Sequence, residues 1–374
     1  MYLLPKPKTI KEQDGQMLLC HSTHIVMTKE VAETEMHAAK RLQEAIRQET
    51  GLILPFSVGE VREGDLSLGI AKTLPEQTYE ITIDEKGGQI SGGDGAGVLY
   101  GVETFCQIVQ QCGGILPCVQ IQDAPDMPNR GYYFDQTRGR VLKLEELKKI
   151  ADRMCRYKLN QLQLYVEHTY LFRDFSEMWR DQTPLTAEEI RELDSYCRER
   201  HIELVPSLAS FGHLCTLLST KTYGDLCEME DSWKEPFSFW NRMRYHTINV
   251  SDERSLPLIK KMIAEYMQLF SSNKFNICAD ETFCLGKYKS KKLAEERGVH
   301  RLYIDYVKEL AQFLVENGKI PMFWGDIIWN SPELMKELPE SMICLNWGYA
   351  PEQREDETRA IAQTGAVQYL CPGV

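Results

Sequence analysis

The sequence predicts an α/β fold in which a small α+β domain precedes a barrel of the TIM (β/α)8 type. Two observations support the barrel: from residue 130 onward apolar, strand-like segments alternate with helical segments, and polar side chains follow the strands. Such alternation implies a parallel sheet with right-handed crossovers, which closes as a barrel when there are eight strands. We therefore expect the chemistry of the protein at the carboxyl ends of the strands.

Residues 1–125 are predicted to form the α+β domain. Strands are expected at 17–20, 24–27, 66–70, 79–84 and 89–91, and helices at 31–50 and 98–111. The Gly87-Gly88 pair predicts a hairpin. The glycine-rich run 92–97 has neither the Lys-Ser/Thr of a P-loop nor a G-x-G-x-x-G register, so we interpret it as a tight turn from strand to helix. A linker with two prolines, 122–129, ends the domain.

Residues 130–374 are predicted to form the barrel. Its strands are expected at 131–136, 159–166, 202–208, 275–280, 320–328, 342–347 and 366–371, and its helices at 143–157, 187–200, 256–270, 301–317 and 351–364. In the first of these helices, apolar residues recur at spacings of three and four, which is typical of an amphipathic helix. The chain stops directly after the seventh strand, and an open barrel would expose apolar surface and strand edges. We therefore expect a barrel truncated after strand seven, in a fragment of a longer protein.

Composition argues against several classes of function. A net charge of -12 disfavours nucleic acid and anionic membrane surfaces, which both require a basic footprint. No apolar run is long enough to span a membrane, and the N-terminus has no secretory signal pattern. The 12 cysteines show no paired spacing, so we interpret them as free thiols in a reducing, cytoplasmic compartment. Because C-x-x-C, H-E-x-x-H and EF-hand patterns are absent, neither a metal site nor a cofactor is predicted.

The most informative motif is a pair of adjacent carboxylates, Asp280 and Glu281, after the fourth barrel strand. Mostly apolar residues precede the pair and a polar loop follows it, so we expect both acids at the carboxyl end of the strand, where such barrels keep their catalytic groups. An alternative is that Asp-Glu-Thr at 280–282 caps a helix.

Polar and aromatic side chains also follow the other strands. They are Arg138 after strand one, Glu167 and His168 after strand two, His213 after strand three, Trp324 and Asp326 after strand five, and Trp347 and Tyr349 after strand six. Indole rings stack on the C–H faces of a pyranose while charged groups bond its hydroxyls, so this set favours a sugar site. Three alternatives remain open: Arg138 pairs only with Asp135, His213 is a core histidine, or Trp347 fills the barrel.

The segments around the first strand and the acid pair resemble glycoside hydrolase family 20, the β-N-acetylhexosaminidases. Residues 130–138, Arg-Gly-Tyr-Tyr-Phe-Asp-Gln-Thr-Arg, resemble the family's first barrel strand with its sugar-binding arginine. Asn-Val-Ser-Asp at 249–252, the helix after it and the Asp280-Glu281 pair resemble the family's approach to its acid pair. Residues 79–104 are similar to the family's N-terminal accessory domain.

Finer details are most similar to the intracellular, streptococcal-type N-acetyl-β-D-glucosaminidase branch of that family. They lie at 165–169, 203–207, 211–213 and 280–286. The chain also departs from the wider family. It has Asn-Ile-Cys-Ala at 276–279 in place of His-x-Gly-Gly, and Phe-Gly-His in place of Pro-Gly-His. These changes leave the acid pair intact but alter the groups that surround it.

The resemblance implies an exo-acting, retaining β-N-acetylhexosaminidase that uses substrate-assisted catalysis through an oxazolinium intermediate. It implies that Glu281 is the general acid and base, and that Asp280 holds the acetamido N–H. It further implies that Arg138 binds outer hydroxyls of the terminal sugar and that Trp324 and Trp347 wall the acetamido pocket. His213 is a further candidate for substrate binding, and weaker candidates at the rim are Glu167, His168, Asp326 and Tyr349.

The implied partner is an oligosaccharide or glycoconjugate with terminal β-linked GlcNAc or GalNAc, and a homodimer remains open. One alternative is a sugar-binding barrel without catalytic activity. Another is a substrate-assisted O-GlcNAc hydrolase, although those enzymes carry two aspartates and Glu281 argues against them. A barrel of unrelated chemistry would need a metal or phosphate site, which the sequence does not indicate.

Overall fold

The computed structural model describes residues 1–373. These residues divide into two compact units. The first contains Met1–Tyr132, Glu145–Leu162 and Ser195–Glu203, and the second contains Tyr133–Leu144, Gln163–Asp194 and the chain from Leu204 onward. The two units are interleaved along the chain, and the division into domains 1–125 and 130–374 stays a prediction.

A mixed sheet of seven strands forms the core of the first unit. Its strands are β1 (Thr9–Leu18), β2 (Ile25–Met27), β3 (Phe56–Val58), β4 (Leu66–Ile70), β5 (Tyr79–Asp84), β6 (Gly87–Gly92) and β7 (Ile115–Asp123), in the spatial order β1-β7-β5-β6-β4-β2-β3. Its helices include α1 (Lys29–Thr34), α2 (Met36–Thr50) and α3 (Gly95–Cys112). Helix α3 contacts β5, β6 and β7 as well as α2, which explains why it is apolar around most of its surface.

Most predicted elements of the first unit are confirmed, with three differences. The predicted helix at 31–50 is two helices separated at Glu35, whose carboxylate contacts His201 Nε2 at 2.8 Å instead of facing solvent. Strand β1 begins earlier than predicted. Its first half is polar and exposed and shows no clear alternation, so the sequence pattern does not reveal it as a strand. Strands β3 and β7 were not predicted from the sequence. Strand β7 contains Pro117, which argues against a paired strand in a sequence pattern.

Both glycine motifs have the predicted structures. The hairpin joins β5 to β6, with Asp84 opposite Gly87, so its turn residues lie just before the glycine pair. The run at 92–97 is a turn from β6 into α3, capped by the side chain of Asp94. Glycine is required there because the backbones approach closely: a Cβ at Gly93 would lie 1.9 Å from the carbonyl oxygen of Pro75.

The second sheet also has seven strands among the described residues, and their spatial order follows the sequence. They are β8 (Gly131–Asp135), β9 (Gln161–Val166), β10 (Glu203–Leu208), β11 (Lys274–Asn276), β12 (Ile320–Trp324), β13 (Ile343–Gly348) and β14 (Val367–Pro372). The helices between them are α4 (Leu144–Arg156), α5 (Ser176–Trp179), α6 (Ala187–Arg198), α7 (Cys215–Leu218), α8 (Phe239–Arg244), α9 (Ser255–Tyr266), α10 (Lys291–Arg297), α11 (Val299–Glu316) and α12 (Glu355–Gln363). Neighbouring strands from β10 to β14 pair in parallel, as the alternation predicts.

Two predicted strands of this sheet are too long. The fourth ends at Asn276 rather than at 280, and the fifth ends at Trp324 rather than at 328. In both places an apolar sequence continues beyond the last ladder pair, because these residues are buried in the loops that follow the strands. None of the helices in the described part of the chain is both long and apolar enough to cross a membrane.

Candidate active site

The acid pair lies in an irregular loop beyond β11 and not at the end of a strand, which corrects the prediction. Three residues of this loop adopt left-handed backbone conformations, Cys278 with φ 58°, Ala279 with φ 64° and Glu281 with φ 49°. Such conformations cost about 1–3 kcal/mol each outside glycine and persist only where the surroundings enforce them. The helix-cap alternative is wrong, because the next helix, α10, begins only at Lys291.

Hydrogen bonds to neighbouring strands hold the start of this loop. The side-chain oxygen of Asn276 accepts from the Cys278 N–H at 2.8 Å, while its amide donates to Gln163 at 3.0 Å. The N–H of Trp324 donates to the Cys278 carbonyl at 2.9 Å. The Tyr303 hydroxyl donates to the Ala279 carbonyl at 3.0 Å. Groups from β9, β12 and α11 thus enforce the unusual backbone.

The loop after β10 supports the acid pair from the other side. Ser210 Oγ donates to the carbonyl of Ile277 at 2.6 Å, which joins the two loops. Gly212 lies directly against the backbone of Asp280: a Cβ at this position would be 2.5 Å from the Asp280 carbonyl oxygen. The Gly-His dipeptide therefore brings His213 close to the acids because the first residue has no side chain.

His213 contacts both acids. Its Nε2 lies 3.4 Å from Asp280 Oδ2 and 3.2 Å from Glu281 Oε2. The residue is only 3% exposed, and neither ring nitrogen has a hydrogen bond of good geometry to another described residue. Burial by itself lowers the pKa of His213, but the two carboxylates raise it to about 10. The alternative of a satisfied core histidine is therefore wrong, since the imidazole is a buried cation paired with the acids.

The carboxyl groups near His213 have different protonation preferences. Burial alone raises the pKa of Asp280, but the His213 cation beside it lowers that pKa below its ordinary value. Burial raises the pKa of Asp326, and the negative charge of Asp280 adds to this effect. Asp326 Oδ2 accepts a hydrogen bond from the backbone N–H of Glu281 at 3.0 Å. Asp280 thus remains an anion at neutral pH, whereas Asp326 holds its proton.

The side chains of His213, Asp280 and Glu281 are spaced closely enough to bind a metal ion, with ligand atoms within 4.8 Å of one another. A histidine whose pKa is about 10 is protonated at neutral pH and then has no lone pair to donate. A metal would have to displace that proton. The imidazolium already supplies the positive charge that two neighbouring carboxylates require.

A second charged cluster surrounds Arg138. Its Nε donates to Asp135 Oδ2 at 2.6 Å, and its guanidinium lies 4.7 Å from the centre of the Tyr165 ring. Its Nη1 lies 3.2 Å from the sulfur of Met243. The predicted alternative, a pair with Asp135, is therefore present. The Arg138 side chain is still 25% exposed, so it retains donors for a ligand.

The predicted rim residues Glu167 and His168 belong to the same cluster. Glu167 is 3% exposed, and its two oxygens accept from the Tyr165 hydroxyl and from Arg242 Nη2, each at 3.0 Å. His168 Nδ1 lies 3.2 Å from the hydroxyl of Thr216. Burial lowers the pKa of His168, so its imidazole is neutral at neutral pH.

Arg242 and Met243 were not predicted from the sequence. Both lie on α8, a six-residue helix in the long loop after β10, whose own sequence is neither clearly apolar nor clearly amphipathic. The available signal was the basic and aromatic segment Phe-Trp-Asn-Arg-Met-Arg at 239–244, and it does not indicate which arginine turns inward. Trp240 on the same helix is 64% exposed.

The predicted tryptophans occupy two places. Trp324 is 7% exposed and meets the ring of Tyr133 edge-on, with centroids 4.9 Å apart. Trp347 lies 6.2 Å from Trp329 and 5.2 Å from Tyr349, which is itself 83% exposed. The indole nitrogens of Trp329 and Trp347 are buried and lack a partner among the described residues. Trp347 therefore belongs to an aromatic group with one exposed face and is not enclosed barrel filling.

Tyr133 connects these groups. Its ring lies 6.2 Å from that of Tyr165, and its hydroxyl lies 3.0 Å from Ser207 and 3.8 Å from the Cys278 sulfur. Tyr133 therefore contacts Trp324, the Tyr165 ring of the cluster around Arg138, and Cys278 in the loop that carries the acids. The structure brings the predicted residues of β8, β9, β10, β11 and β12 into one connected set.

This arrangement matches a known family along nearly the whole chain. The profile of "Glycosyl hydrolase family 20, catalytic domain" matches residues 128–372, and that of "Glycosyl hydrolase family 20, domain 2" matches residues 1–124. The chain belongs to glycosyl hydrolase family 20. The finer resemblance to the streptococcal branch of family 20 stays a prediction.

Relatives within family 20 are distant. A β-hexosaminidase of Porphyromonas gingivalis is 24% identical over 363 residues, which cover 87% of this chain and 45% of that protein. A β-hexosaminidase of Vibrio furnissii is 26% identical over 310 residues, with 75% and 48% covered. The chain thus spans about half the length of these curated relatives.

Solved structures of family 20 confirm the fold. A chitobiase of Flavobacterium johnsoniae superposes with a TM-score of 0.84 at 19% identity, covering 99% of this chain and 59% of that one. The Streptomyces plicatus N-acetyl-β-hexosaminidase in complex with Thio-NAglucal gives a TM-score of 0.81 at 20% identity, with 99% and 74% covered. The predicted TIM-barrel architecture with a preceding α+β region is therefore correct.

Replacing Gly212 with alanine should disturb the acid loop. The added methyl group would overlap the Asp280 carbonyl oxygen, and relief of that overlap should cost about 1–3 kcal/mol of unfolding free energy. Denaturant unfolding of the wild type and of Gly212→Ala measures this difference in unfolding free energy. Gly114→Ala is the matched control, since a Cβ there would have its nearest contact at 3.6 Å. Equal stability of Gly212→Ala and Gly114→Ala would contradict the close approach.

Removing the His213 cation should destabilise the protein in a pH-dependent way. The folded-state pKa, about 10, lies above the ordinary value of 6.5, so protonated His213 contributes its full stability below 6.5 while its carboxylates are ionised. This contribution is lost as the pH rises through 10. The melting temperature of His213→Gln should therefore lie further below the wild type at about pH 6 than at about pH 10.

The exposed residue His21 offers the control variant His21→Gln, which should melt like the wild type at both pH values. If the gap between His213→Gln and the wild type were the same at both pH values, His213 would not be charged in the folded state.

Proposed function

We propose that this chain is a retaining, exo-acting β-N-acetylhexosaminidase that removes terminal β-linked GlcNAc or GalNAc from oligosaccharides or glycoconjugates. The observation that carries the proposal is the adjacent pair Asp280 and Glu281 around one buried imidazolium. In this proposal the barrel at 130–374 is the catalytic domain and 1–125 is the accessory domain.

The environment of Asp280 supports substrate-assisted catalysis. The group stays ionised because the His213 cation lowers its pKa. Its Oδ1 is buried and has no hydrogen-bond partner among the described residues, so this oxygen can accept from an acetamido N–H of the substrate. A fixed anion there would also stabilise the positive charge that develops on an oxazolinium intermediate.

The position of Glu281 supports a role as general acid and base. It is the second residue of the pair, and its side chain is 26% exposed, so its carboxyl group can contact a ligand. In the proposed reaction Glu281 acts first in its protonated form and gives its proton to the glycosidic oxygen as the acetamido oxygen attacks the anomeric carbon. The resulting carboxylate then takes a proton from the water that opens the oxazolinium ring, which restores the acid.

The second cluster supports recognition of the sugar hydroxyls. Arg138 keeps exposed N–H donors beside its ion pair with Asp135, and we assign it to the outer hydroxyls of the terminal sugar. Glu167 has both oxygens occupied, so we assign it to holding Arg242 and Tyr165 in place. Trp324, Trp347 and Tyr349 provide aromatic surface for the sugar, and His168 lies at the edge of the cluster.

Two further expectations concern the setting of the protein. We propose a cytoplasmic location because all 12 cysteines are free thiols, and eight of them are buried, where they pack as small apolar side chains. The homodimer stays a prediction, which sedimentation velocity would test.

The experiment that tests the function is release of nitrophenol from the β-GlcNAc, β-GalNAc and β-glucoside derivatives. Cleavage of the N-acetyl sugars without cleavage of the glucoside is expected, since the acetamido group is the nucleophile. Cleavage of the glucoside at a similar rate would contradict substrate assistance. Binding of GlcNAc in calorimetry without any turnover would instead indicate a sugar-binding protein.

The two acids should give different mutant kinetics. Glu281→Gln should lower the turnover of substrates with poor leaving groups by about 10²–10⁴-fold but spare activated aryl leaving groups, which need no proton. Asp280→Asn should lower turnover for both kinds of substrate by about 10²-fold or more, because the intermediate loses its stabilising anion. Initial rates on both substrate types distinguish the variants.

Asp174→Asn serves as the control, since this exposed residue pairs with Lys261 at 2.6 Å on the surface. It should leave both rates unchanged. Wild-type rates in both Glu281→Gln and Asp280→Asn would refute the assignment.

A further inference from the structure

A third carboxyl group, from the loop after β12, lies next to the acid pair. Asp326 follows β12, and its Oδ2 accepts the backbone N–H of Glu281 at 3.0 Å. Its Oδ1 is buried and has no hydrogen-bond partner among the described residues. Sugar binding at the rim is the role predicted for Asp326, and the hydrogen bond observed in the structure goes to the protein backbone.

The donor of this hydrogen bond, Glu281, is a strained residue. Glu281 has φ 49°, in the left-handed region that non-glycine residues avoid. A conformation of this kind persists only when its surroundings enforce it. Asp326 accepts a hydrogen bond from the N–H of Glu281 itself. The hydrogen bonds that hold Cys278 and Ala279 lie two or three residues earlier in the loop.

The direction of the Glu281 side chain depends on that backbone. In the observed conformation Glu281 Oε2 lies 3.2 Å from His213 Nε2. If residue 281 relaxed to an ordinary β or α conformation, its Cα–Cβ bond would point elsewhere and this contact would be lost. The hydrogen bond between the Glu281 N–H and Asp326 therefore influences the position of the Glu281 carboxyl group through the backbone.

We infer that Asp326 is a positioning residue, which holds Glu281 in its left-handed conformation and so directs the proposed catalytic carboxyl group toward the glycosidic bond. This inference rests on the proposed function of Glu281. The positioning part can still be tested without turnover, because the contact between Glu281 and His213 is a separate readout.

Asp326 does not need a negative charge to accept the hydrogen bond from the Glu281 N–H. Asp280 and Glu281 face Asp326 from the acid loop, Tyr303 faces it from α11, and Cys344 faces it from β13. Burial and the Asp280 charge raise the pKa of Asp326 to about 8, so it is mostly neutral at pH 7. A neutral carboxyl group accepts the amide bond without adding a third negative charge. An asparagine has the same shape and the same acceptor oxygen.

The test compares Asp326→Asn with Asp326→Ala and Asp326→Ser in kinetics on an alkyl β-GlcNAc, whose poor leaving group needs a proton from Glu281. Asp326→Asn should change kcat by no more than about fivefold, because the acceptor remains. The alanine and serine variants should lose about 100-fold in kcat with little change in KM, since the acid is displaced from the scissile bond. Asp174→Asn again controls for a surface charge, and the serine variant is used if the alanine variant does not fold.

The second measurement is the titration of His213 by NMR, assigned with the His213→Gln variant. In the alanine and serine variants, displacement of the Glu281 carboxylate should lower the pKa of His213 from about 10, whereas Asp326→Asn should retain it. If the wild type bound GlcNAc but did not hydrolyse the nitrophenyl β-GlcNAc substrate, the proposed function would fail. The titration of His213 would still decide the positioning role of Asp326.

Three results would overturn the inference. A wild-type kcat and His213 titration in Asp326→Ala would show that the bond does not position Glu281. An Asp326→Asn variant as impaired as Asp326→Ala would indicate that the carboxyl group itself is needed. A raised KM at constant kcat would indicate contact with the substrate, as first expected at the rim.

Discussion

A buried imidazolium between two carboxylates is the interaction on which the rest of the site depends. Burying a charged imidazole is costly unless its charge is paired at close range, and here His213 lies 3.4 Å from Asp280 and 3.2 Å from Glu281. This pairing requires the loops after β10 and β11 to touch, which they do where Gly212 meets the Asp280 backbone. The strained backbone of the acid loop is the structural cost of placing two sequential acids on one histidine.

The cluster around Arg138 is balanced in a similar way but is more open to solvent. Two arginines, Arg138 and Arg242, alternate with the carboxylates of Asp135 and Glu167, and the Tyr165 ring and hydroxyl join them. Because every charge has a partner, the cluster can be rigid before a ligand arrives. Preorganised donors of this kind cost little to order on binding.

Much of the fold could be predicted because its signals are local. Apolar segments alternating with amphipathic helices specify the parallel strands and their order, although β11 and β12 end earlier than their apolar sequences predict. Arg242 could not be predicted because it lies on a short helix in a long loop, and its inward direction comes from the buried Glu167 carboxylate. The hydrogen bond of Asp326 could not be predicted because its partner is a backbone amide 45 residues away, which leaves no sequence pattern.

The sequence by itself determined which residues reach the carboxyl edge of the sheet, since strand periodicity and loop composition are properties of neighbouring residues. Tertiary structure alone decided that Cys278, Ala279 and Glu281 are left-handed, because no local preference favours that conformation in these residue types and only contacts from other strands enforce it. It also decided the charges. The same histidine and aspartates would titrate normally in an unfolded chain, and they differ in the folded protein because burial strengthens their mutual interaction.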